Sequence, residues 1–529
     1  MRRYNLCVIG AGPAGLSAAI EAAKTGMSVG VFDENQKAGG QLFKQIHKFF
    51  GSREHKASIR GFNIGYELLT EAKALGVDVH LDSVVIGIYD PLRITVCEDG
   101  CITNYAADNI VVATGASENT VPFEGWDLPG VLGAGAAQTM MNLHGVQPGE
   151  KIIMLGSGNV GLVVGFQLLQ AGCKVEAVVD ALPHVGGYGV HASKLARTGV
   201  PFYLSHSIVR AEGEDHVTGV VIAQVDSHFN FLPGTEKHFD ADTVCLAVGL
   251  NPMSQLTRMA GCEMVNKGGL VPKTDKYGAT TIDGLFAAGD VAGIEEASSA
   301  MITGRIAALS AAKRSGFIDE KQFEDGYNEN HSSILKLRKG MFAPENRGRM
   351  DITKTDEGYP LSVSLLENGF VSDTEIRTFP GVISEEGVHP VIECTQNIPC
   401  DPCQEACRVG CIKIGEGITS LPQVNADKKC VNCGRCVAVC PGQAIFLVDE
   451  ETENGFGTVT MPYEFLPLPQ KGDIGVGLDR AGKAVCTAEV TDVKSRKEFD
   501  HTNLLTVKVP SEMVMKVRFY KGKEAAKHE

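Results

Sequence analysis

This sequence predicts an α/β protein in which two units of strand, glycine turn, helix and strand are followed by an α+β cysteine-rich unit and a small C-terminal β unit. Three observations carry that expectation. Glycine-rich turns at 10–15 and 156–161 each separate an apolar strand from an Ala- or Val-rich helix. Short apolar strands within 109–116, 243–252 and 281–293 each stop on a glycine. Nine of the 16 cysteines crowd between 394 and 440. At 529 residues the chain exceeds one hydrophobic core, and at roughly 100–200 residues per domain it divides into about three to five units.

Composition narrows the class. With 49 Lys and Arg against 64 Asp and Glu, the net charge of -15 argues against nucleic acid or an acidic membrane as main partner. No run of 18 apolar residues occurs, so no membrane-spanning segment is expected. The opening "MRRYNLCVIGAGPAGLSAAIEAA" has two arginines before an apolar run. Gly10, Gly12, Pro13 and Gly15 interrupt that run and Glu21 and Lys24 close it, so it does not read as a secretory signal. Cysteines concentrated in one stretch of a long chain fit metal-bound thiolates in a reduced compartment better than a disulfide scaffold, and the expected location is the cytoplasm.

In "YNLCVIGAGPAGLSAAIEAAKTGMSVGVFDEN" a buried strand runs into a tight turn, an Ala-rich helix and a second strand ending at Asp33. Gly10 makes the turn, Gly12 lets the backbone approach a pyrophosphate, and Gly15, after Ala14, lets the helix pack close to the strand. Asp33, or adjacent Glu34, is placed to hold a ribose hydroxyl pair. "KIIMLGSGNVGLVVGFQLLQAGCKVEAVVDA" repeats the pattern, with Gly156, Gly158, Asn159, Val160 and Gly161 in the turn and Asp180 after the next strand. No arginine stands close behind Asp180 to receive a 2'-phosphate, which favours NADH over NADPH. The strand of "NIVVATGA", closing on Thr114 and Gly115, belongs where chain crosses between domains near a bound cofactor.

With these five motifs in order, residues 1 to about 315 resemble the two-dinucleotide-binding-domain flavoproteins, the family of glutathione reductase and the ferredoxin reductases. The resemblance implies two Rossmann-like domains, with FAD on the first turn and a nicotinamide, NAD(H) rather than NADP(H), on the second. It implies that Gly39, Gly40 and Gln41 of "AGGQL" lie toward the flavin and that Gly289 and Asp290 bind its ribityl-phosphate arm. The FAD-binding domain would span 1–120 and 274–315, split by an NAD(P)-binding domain at 121–273, with a connecting region at 316–390. Disulfide reductases of this family carry a redox cysteine pair after the GG or in the nicotinamide domain. Here "GGQLFKQIHKFF" has no cysteine, and Cys173, Cys245 and Cys262 form no CxxC, so the flavin must pass electrons elsewhere. "AGGQL", "HKFFGSREH" and the second turn resemble the flavoprotein subunits of opine, hydroxyproline and sarcosine oxidising complexes, in which a separate subunit usually oxidises the amine.

"CVNCGRCVAVCP" places Cys430, Cys433, Cys436 and Cys440 in the pattern CxxCxxCxxxCP. This is the bacterial ferredoxin run, whose fourth cysteine reaches across to a second 4Fe-4S cluster. A zinc site would be built on a pair of CxxC hooks, which this run does not offer. The partner is found by laying "CQEACRVGCI" over "CVAVCPGQAI": Cys403 matches Cys436, Cys407 matches Cys440, and Cys400 matches Cys433. Cys394 takes the place of Cys430 with a longer gap, and Cys411 falls on Ala444. The first cluster is then expected on Cys394, Cys400, Cys403 and Cys440, and the second on Cys407, Cys430, Cys433 and Cys436. A rival set, Cys400, Cys403, Cys407 and Cys411 with Cys394 spare, stays open, and Arg408 replaces the usual proline after Cys407. The ferredoxin-like domain would occupy 391–450 and the β-rich region 451–529, whose tail "VRFYKGKEAAKHE" reads as solvated and frayed.

A flavin exchanges two electrons with a nicotinamide as hydride and can release them one at a time to clusters. No catalytic Ser, Cys or His is expected. The leading expectation is an oxidoreductase subunit of an amine or amino-acid dehydrogenase complex, a hetero-oligomer with an amine-oxidising flavoprotein subunit, linking substrate electrons to NAD. The alternatives are a stand-alone NAD(P)H:ferredoxin-type, dye or quinone reductase serving a free ferredoxin-type carrier, and a scaffold subunit keeping the nucleotide folds as architecture.

Overall fold

The computed structural model describes residues 1–346, 349 and 351–522, without the side chains of 451–453, and the sheets are counted among these described residues. Residues 523–529 of the basic tail lie outside them. Two compact units form, the first from Met1–Phe49, Glu54–Asn119 and Gly249–Arg338, the second from Phe50–Arg53, Thr120–Val248 and Lys339–Glu529.

The first unit is organised on a seven-stranded sheet. Strands Asp78–His80, Val29–Phe32, Arg2–Ile9 and Cys101–Val112 run parallel, Leu285–Ala287 adds parallel to the end of Cys101–Val112, and Arg93–Glu98 and Ser83–Tyr89 extend the sheet antiparallel. The run Leu6-Cys7-Val8-Ile9 is apolar throughout because both faces are covered. Leu6 and Val8 enter the core with helices Pro13–Lys24 and Ala297–Arg314, while Cys7 and Ile9 enter the opposite core with Phe32, Tyr105 and Ile110. The two helices cross through glycine: a Cβ on Gly304 would stand 2.1 Å from the Ala14 carbonyl oxygen. Asp99 and Gly100 form a hairpin turn, with Glu98 opposite Cys101. The chain rejoins this unit at Gly249 rather than near 274, because Leu250–Pro252 pairs antiparallel with Ala116–Glu118. Beyond it, "FEDGYNENHSSILKL" lies in one helix, Glu320–Leu337, started by a capping box between Asp319 and Gln322.

The second unit holds a five-stranded parallel sheet in the order Phe202–Leu204, Lys174–Asp180, Lys151–Leu155, Thr243–Leu246, Val131–Gly133. Helices Asn159–Gln170 and Ala134–His144 contribute to its core with Leu162, Val164, Phe166 and Ala137. Its C-terminal half is a seven-stranded antiparallel sheet. Strand His389–Ile392, just before Cys394, pairs with Ile445–Glu453, just after Cys440, and the sheet continues through Phe456–Tyr463, Asn503–Pro510, Ala484–Lys494, Ile474–Leu478 and Phe519–Gly522. A boundary at 450 therefore falls inside a strand: the cysteine-rich part and the β-rich part share one sheet. Cysteine-bearing helices Pro402–Ala406 and Arg435–Val439 begin 33 residues apart, as do strands Ile412–Lys413 and Ile445–Glu453. That is the offset between Cys403 and Cys436.

Candidate cofactor and metal sites

The first glycine turn is shaped by contacts that leave no room for side chains. Gly10 has φ +102, and a Cβ there would lie 2.4 Å from the Ala113 carbonyl oxygen. A Cβ on Gly15 would lie 1.8 Å from the Gly10 carbonyl oxygen, so strand and helix meet backbone to backbone. Around a Cβ on Gly12, by contrast, there is nothing within 4 Å: its face of the turn is open, as close approach of a pyrophosphate requires. Asp33 is buried and braces the turn, accepting the Ala11 N–H at 2.6 Å on Oδ2 and Asn35 donors at 2.8 Å on Oδ1. A carboxylate offers about four acceptor positions, so room for one hydroxyl remains. Glu34 is exposed.

Gly39 donates its N–H to the Ala11 carbonyl at 2.7 Å, and a Cβ on Gly40 would reach to 3.0 Å from the Gly12 Cα. The "AGGQL" segment therefore lies against the turn, with Gly40 and Gln41 exposed at the start of the short helix Gly40–Lys44. Gly289 closes on the same turn from the other side, where a Cβ would meet that of Ala14 at 2.8 Å, and Asp290 follows it, half-buried. Thr114 donates its hydroxyl to the Met253 carbonyl at 2.7 Å, and Gly115 turns the chain at φ +73. Seven expected positions, Gly10, Gly12, Ala14, Gly15, Asp33, Gly40 and Gly289, are thus brought together, and their open face at Gly12 fits a dinucleotide.

The second turn repeats the design. A Cβ on Gly156 would meet the Ala247 oxygen at 2.3 Å and one on Gly161 the Gly156 oxygen at 2.0 Å, while Gly158 again has nothing within 4 Å. Asp180 accepts the Ser157 N–H and hydroxyl at 2.7 and 2.6 Å and the Leu182 N–H at 2.9 Å. Ser157 Oγ also accepts the Gly186 N–H at 3.1 Å, and Asn159 accepts the Tyr188 N–H at 2.8 Å. Of these bracing side chains Asn159 and Asp180 are marked out in the sequence and Ser157 is not, since a single Ser carries no periodic signal. Val160 is exposed at the helix start. The open face at Gly158 fits a second dinucleotide.

The cysteines fall into two electrostatic neighbourhoods. Burial pushes Cys394 up to about 12, and the charge of Cys440 adds to the rise. Cys400 is pushed well up by burial and then by Cys403, Cys440 and Cys394; Cys403 by burial, Cys440 and Cys394, with Cys436 after them. Cys436 is raised by burial and then by Cys430, Cys407 and Cys433, and Cys430 by burial with Cys433 and Cys407 acting on it. Bound iron offsets such rises by holding thiols as thiolates. Among the described residues no three Cys, His, Asp or Glu side chains converge on one metal-ion position. In a 4Fe-4S cubane each thiolate takes its own iron, and the sulfurs stand wider. Cys411 donates its N–H to Cys407 Sγ at 3.2 Å, as Ala444 does to Cys440 Sγ at 3.4 Å, and its thiol donates to the Lys428 carbonyl at 3.1 Å. It occupies the place of Ala444.

Residues 4–316 match the pyridine nucleotide-disulphide oxidoreductase family. The chain belongs to that family. Residues 429–465 match a 4Fe-4S dicluster domain, so this family member is an oxidoreductase carrying an FAD/NAD-type domain and an iron–sulfur domain. It is 29% identical over 360 residues to an opine oxidase subunit of Agrobacterium tumefaciens (strain Ach5), covering 64% of this chain and 71% of that one. It is 26% identical over 384 residues to the HcnB subunit of hydrogen cyanide synthase from Pseudomonas protegens, covering 66% and 80%. The fold is that of T. acidophilum thioredoxin reductase, at TM-score 0.51 and 22% identity over 60% of this chain and 99% of that one. The disulphide in the family's name has no counterpart beside the first turn, where Cys7 is a single buried thiol that burial pushes up to about 12, a setting that suppresses exchange. No helix among the described residues is long and apolar enough to cross a membrane.

Proposed function

We propose that the chain moves electrons between a nicotinamide, NADH favoured, FAD and two 4Fe-4S clusters, as one subunit of an amine or amino-acid dehydrogenase complex of the proline, hydroxyproline, sarcosine or opine type. The observation that carries this reading is the repeat of the two cysteine runs: helices Pro402–Ala406 and Arg435–Val439, and strands Ile412–Lys413 and Ile445–Glu453, stand at the 33-residue offset of Cys403 and Cys436, as in a two-cluster ferredoxin.

Cys394, Cys400, Cys403 and Cys440 would hold the first cluster, and Cys407, Cys430, Cys433 and Cys436 the second. The Gly10–Gly15 turn with Asp33 would hold the FAD pyrophosphate and ribose, Gly39, Gly40 and Gln41 would flank the flavin, and Gly289 and Asp290 its ribityl-phosphate arm. Gly156, Gly158, Asn159, Val160, Gly161 and Asp180 would hold NAD(H). When bound, these groups supply hydride exchange and one-electron transfer. The residues themselves bind and orient: backbone N–H groups at the helix starts face the phosphates, and the carboxylates fix the riboses. The relatives are themselves named subunits of larger enzymes, which supports a hetero-oligomer with an amine-oxidising partner.

Purification of the native protein tests the reading. About eight irons and one FAD per chain, with a co-purifying amine-oxidising subunit, support it. A homo-oligomer reducing dyes with NADH would replace it by a stand-alone reductase, and absence of flavin absorbance by a scaffold.

A further inference from the structure

The second unit buries an excess of positive charge beside Cys394 and Cys440. Arg197, Arg480 and Arg518 are all buried, at 5%, 5% and 1% exposure, and the buried carboxylate among them is Glu393, the residue before Cys394. Glu393 Oε1 accepts from Arg480 Nε at 3.0 Å and Nη2 at 2.6 Å and from Arg518 Nε at 2.5 Å. Arg480 Nη1 donates to half-exposed Asp373 at 2.5 Å. Arg197 Nη1 donates to the Gln443 carbonyl at 2.9 Å, on the turn whose Ala444 N–H binds Cys440 Sγ and whose Ala444 carbonyl accepts the Glu393 N–H. Arg197 and Arg518 both face the Phe446 ring, at 5.4 and 4.9 Å.

Two donors in this group, Arg197 Nε and Arg518 Nη2, are buried without a hydrogen-bond partner. A buried guanidinium with an unmatched charge and an unmade hydrogen bond is costly unless an anion completes its surroundings. A cubane held by four thiolates is a net anion, and Arg197 is bonded to the Gln443 carbonyl three residues after the ligand Cys440. Around the other run the cations Arg408, Lys428 and Lys429 are exposed and Arg435, between Cys433 and Cys436, is half-buried, so water and salt reach all four and screen them more than the buried arginines.

We infer that Arg197, Arg480, Arg518 and Glu393 form an electrostatic seat that raises the reduction potential of the cluster on Cys394, Cys400, Cys403 and Cys440 above that of its neighbour. The inference rests on the two-cluster reading and says which cluster holds the electron. One-electron reduction adds a negative charge to the cluster, and buried net positive charge stabilises the reduced form more than the oxidised one. The three arginines are positioning residues: they touch the ligand-bearing turn and its neighbours, not a substrate.

The test is a redox titration of the holoprotein monitored by electron paramagnetic resonance, with iron counted in each variant. R197Q is expected to lower the reduction equilibrium of the first cluster on the order of tenfold, about 59 mV for a one-electron couple, and R197K to retain the wild-type midpoint. E393Q and D373N are expected to shift it upward, and D373N alters a half-exposed residue, so it keeps the test alive if R197Q fails to fold. Opposite signs on removing a cation and an anion exclude general loosening. Full iron with unmoved midpoints, or shifts of one sign in all variants, overturns the inference. Fewer than about eight irons in the wild-type protein overturns the two-cluster reading itself.

Discussion

Replacing Gly12 by Ala separates the needs of the fold from those of its ligand. Gly12 has φ -77 and ψ -171, extended backbone open to any residue, and its Cβ would meet nothing within 4 Å. Restricting the unfolded chain contributes about 0.4–1 kcal/mol of stability. Placing Ala rather than Gly at the cap of helix Pro13–Lys24 costs roughly 0.5–1 kcal/mol. The two effects offset, and the apoprotein is expected to unfold within about 2 °C of wild type. The methyl group does stand where a pyrophosphate approaches the backbone, so FAD affinity is expected to fall more than about tenfold, ~1.4 kcal/mol. G15A is the contrasting control: its Cβ lies 1.8 Å from the Gly10 oxygen and 3.2 Å from Val8 Cγ1, and no side-chain rotation relieves a backbone clash. Overpacking of that kind costs about 1–3 kcal/mol or more, about 2–4 °C per kcal/mol for a unit of this size. The assay pairs thermal unfolding of each apoprotein with flavin titration followed by fluorescence. G12A binding FAD at wild-type affinity, or losing as much apoprotein stability as G15A, would refute the reasoning.

At the second turn, where Gly158 is equally open, G158A is expected to weaken NADH binding more than about tenfold while leaving FAD content unchanged, read by titrating NADH into the flavin-loaded protein. C394A is expected to lose about four irons per chain and C411A none, since Cys411 spends its thiol on the Lys428 carbonyl; the reverse iron counts would favour the Cys400, Cys403, Cys407, Cys411 set. G304A forces apart the helices that cross at Ala14 and is expected to destabilise the first unit by about 1–3 kcal/mol, measured as its apoprotein transition. Burial holds the His55 imidazole below its ordinary 6.5, with Nε2 3.1 Å from the Ser333 carbonyl. Its contribution is present above pH 6.5 and lost as pH falls through the lowered value, so wild type minus H55Q stability should decline over that window, and a flat difference would remove His55 as the cause.

The parts of the fold legible in the sequence are those whose causes are local. Gly10, Gly12 and Gly15 act within one turn, and the paired runs around Cys403 and Cys436 keep the same helix and strand spacing. What escaped is set by pairing across long stretches. The return of the chain to the first unit at Gly249 depends on Leu250–Pro252 meeting Ala116–Glu118, and neither three-residue strand has a pattern of its own. The shared C-terminal sheet depends on Ile392 lying opposite Ile445, which spans the whole cysteine region. Arg197, Glu393, Arg480 and Arg518 flank the ends of four separate elements, each an ordinary charged residue in its own stretch, and only burial together makes them unusual.

Membership of a disulphide oxidoreductase family without a thiol pair beside the first turn leaves the electrons of a reduced flavin without the family's usual acceptor. On the two-cluster reading the acceptor is supplied by the same chain, and the direction of flow then depends on charge rather than on bond making. Exposed cations near Cys430 shift a potential little because water answers any change in charge. Buried Arg197 and Arg518 have no such screen, and Glu393, held down at about 2 by Arg480 and Arg518 against the upward push of burial, stays ionised at every physiological pH. The charge that Glu393 contributes beside Cys394 is therefore constant across that range. A fixed charge of this kind sets a potential without acting as a pH switch: midpoints of the first cluster should be flat between about pH 6 and 9, and a proton-coupled slope of about 59 mV per pH unit would place a titrating group at the cluster instead.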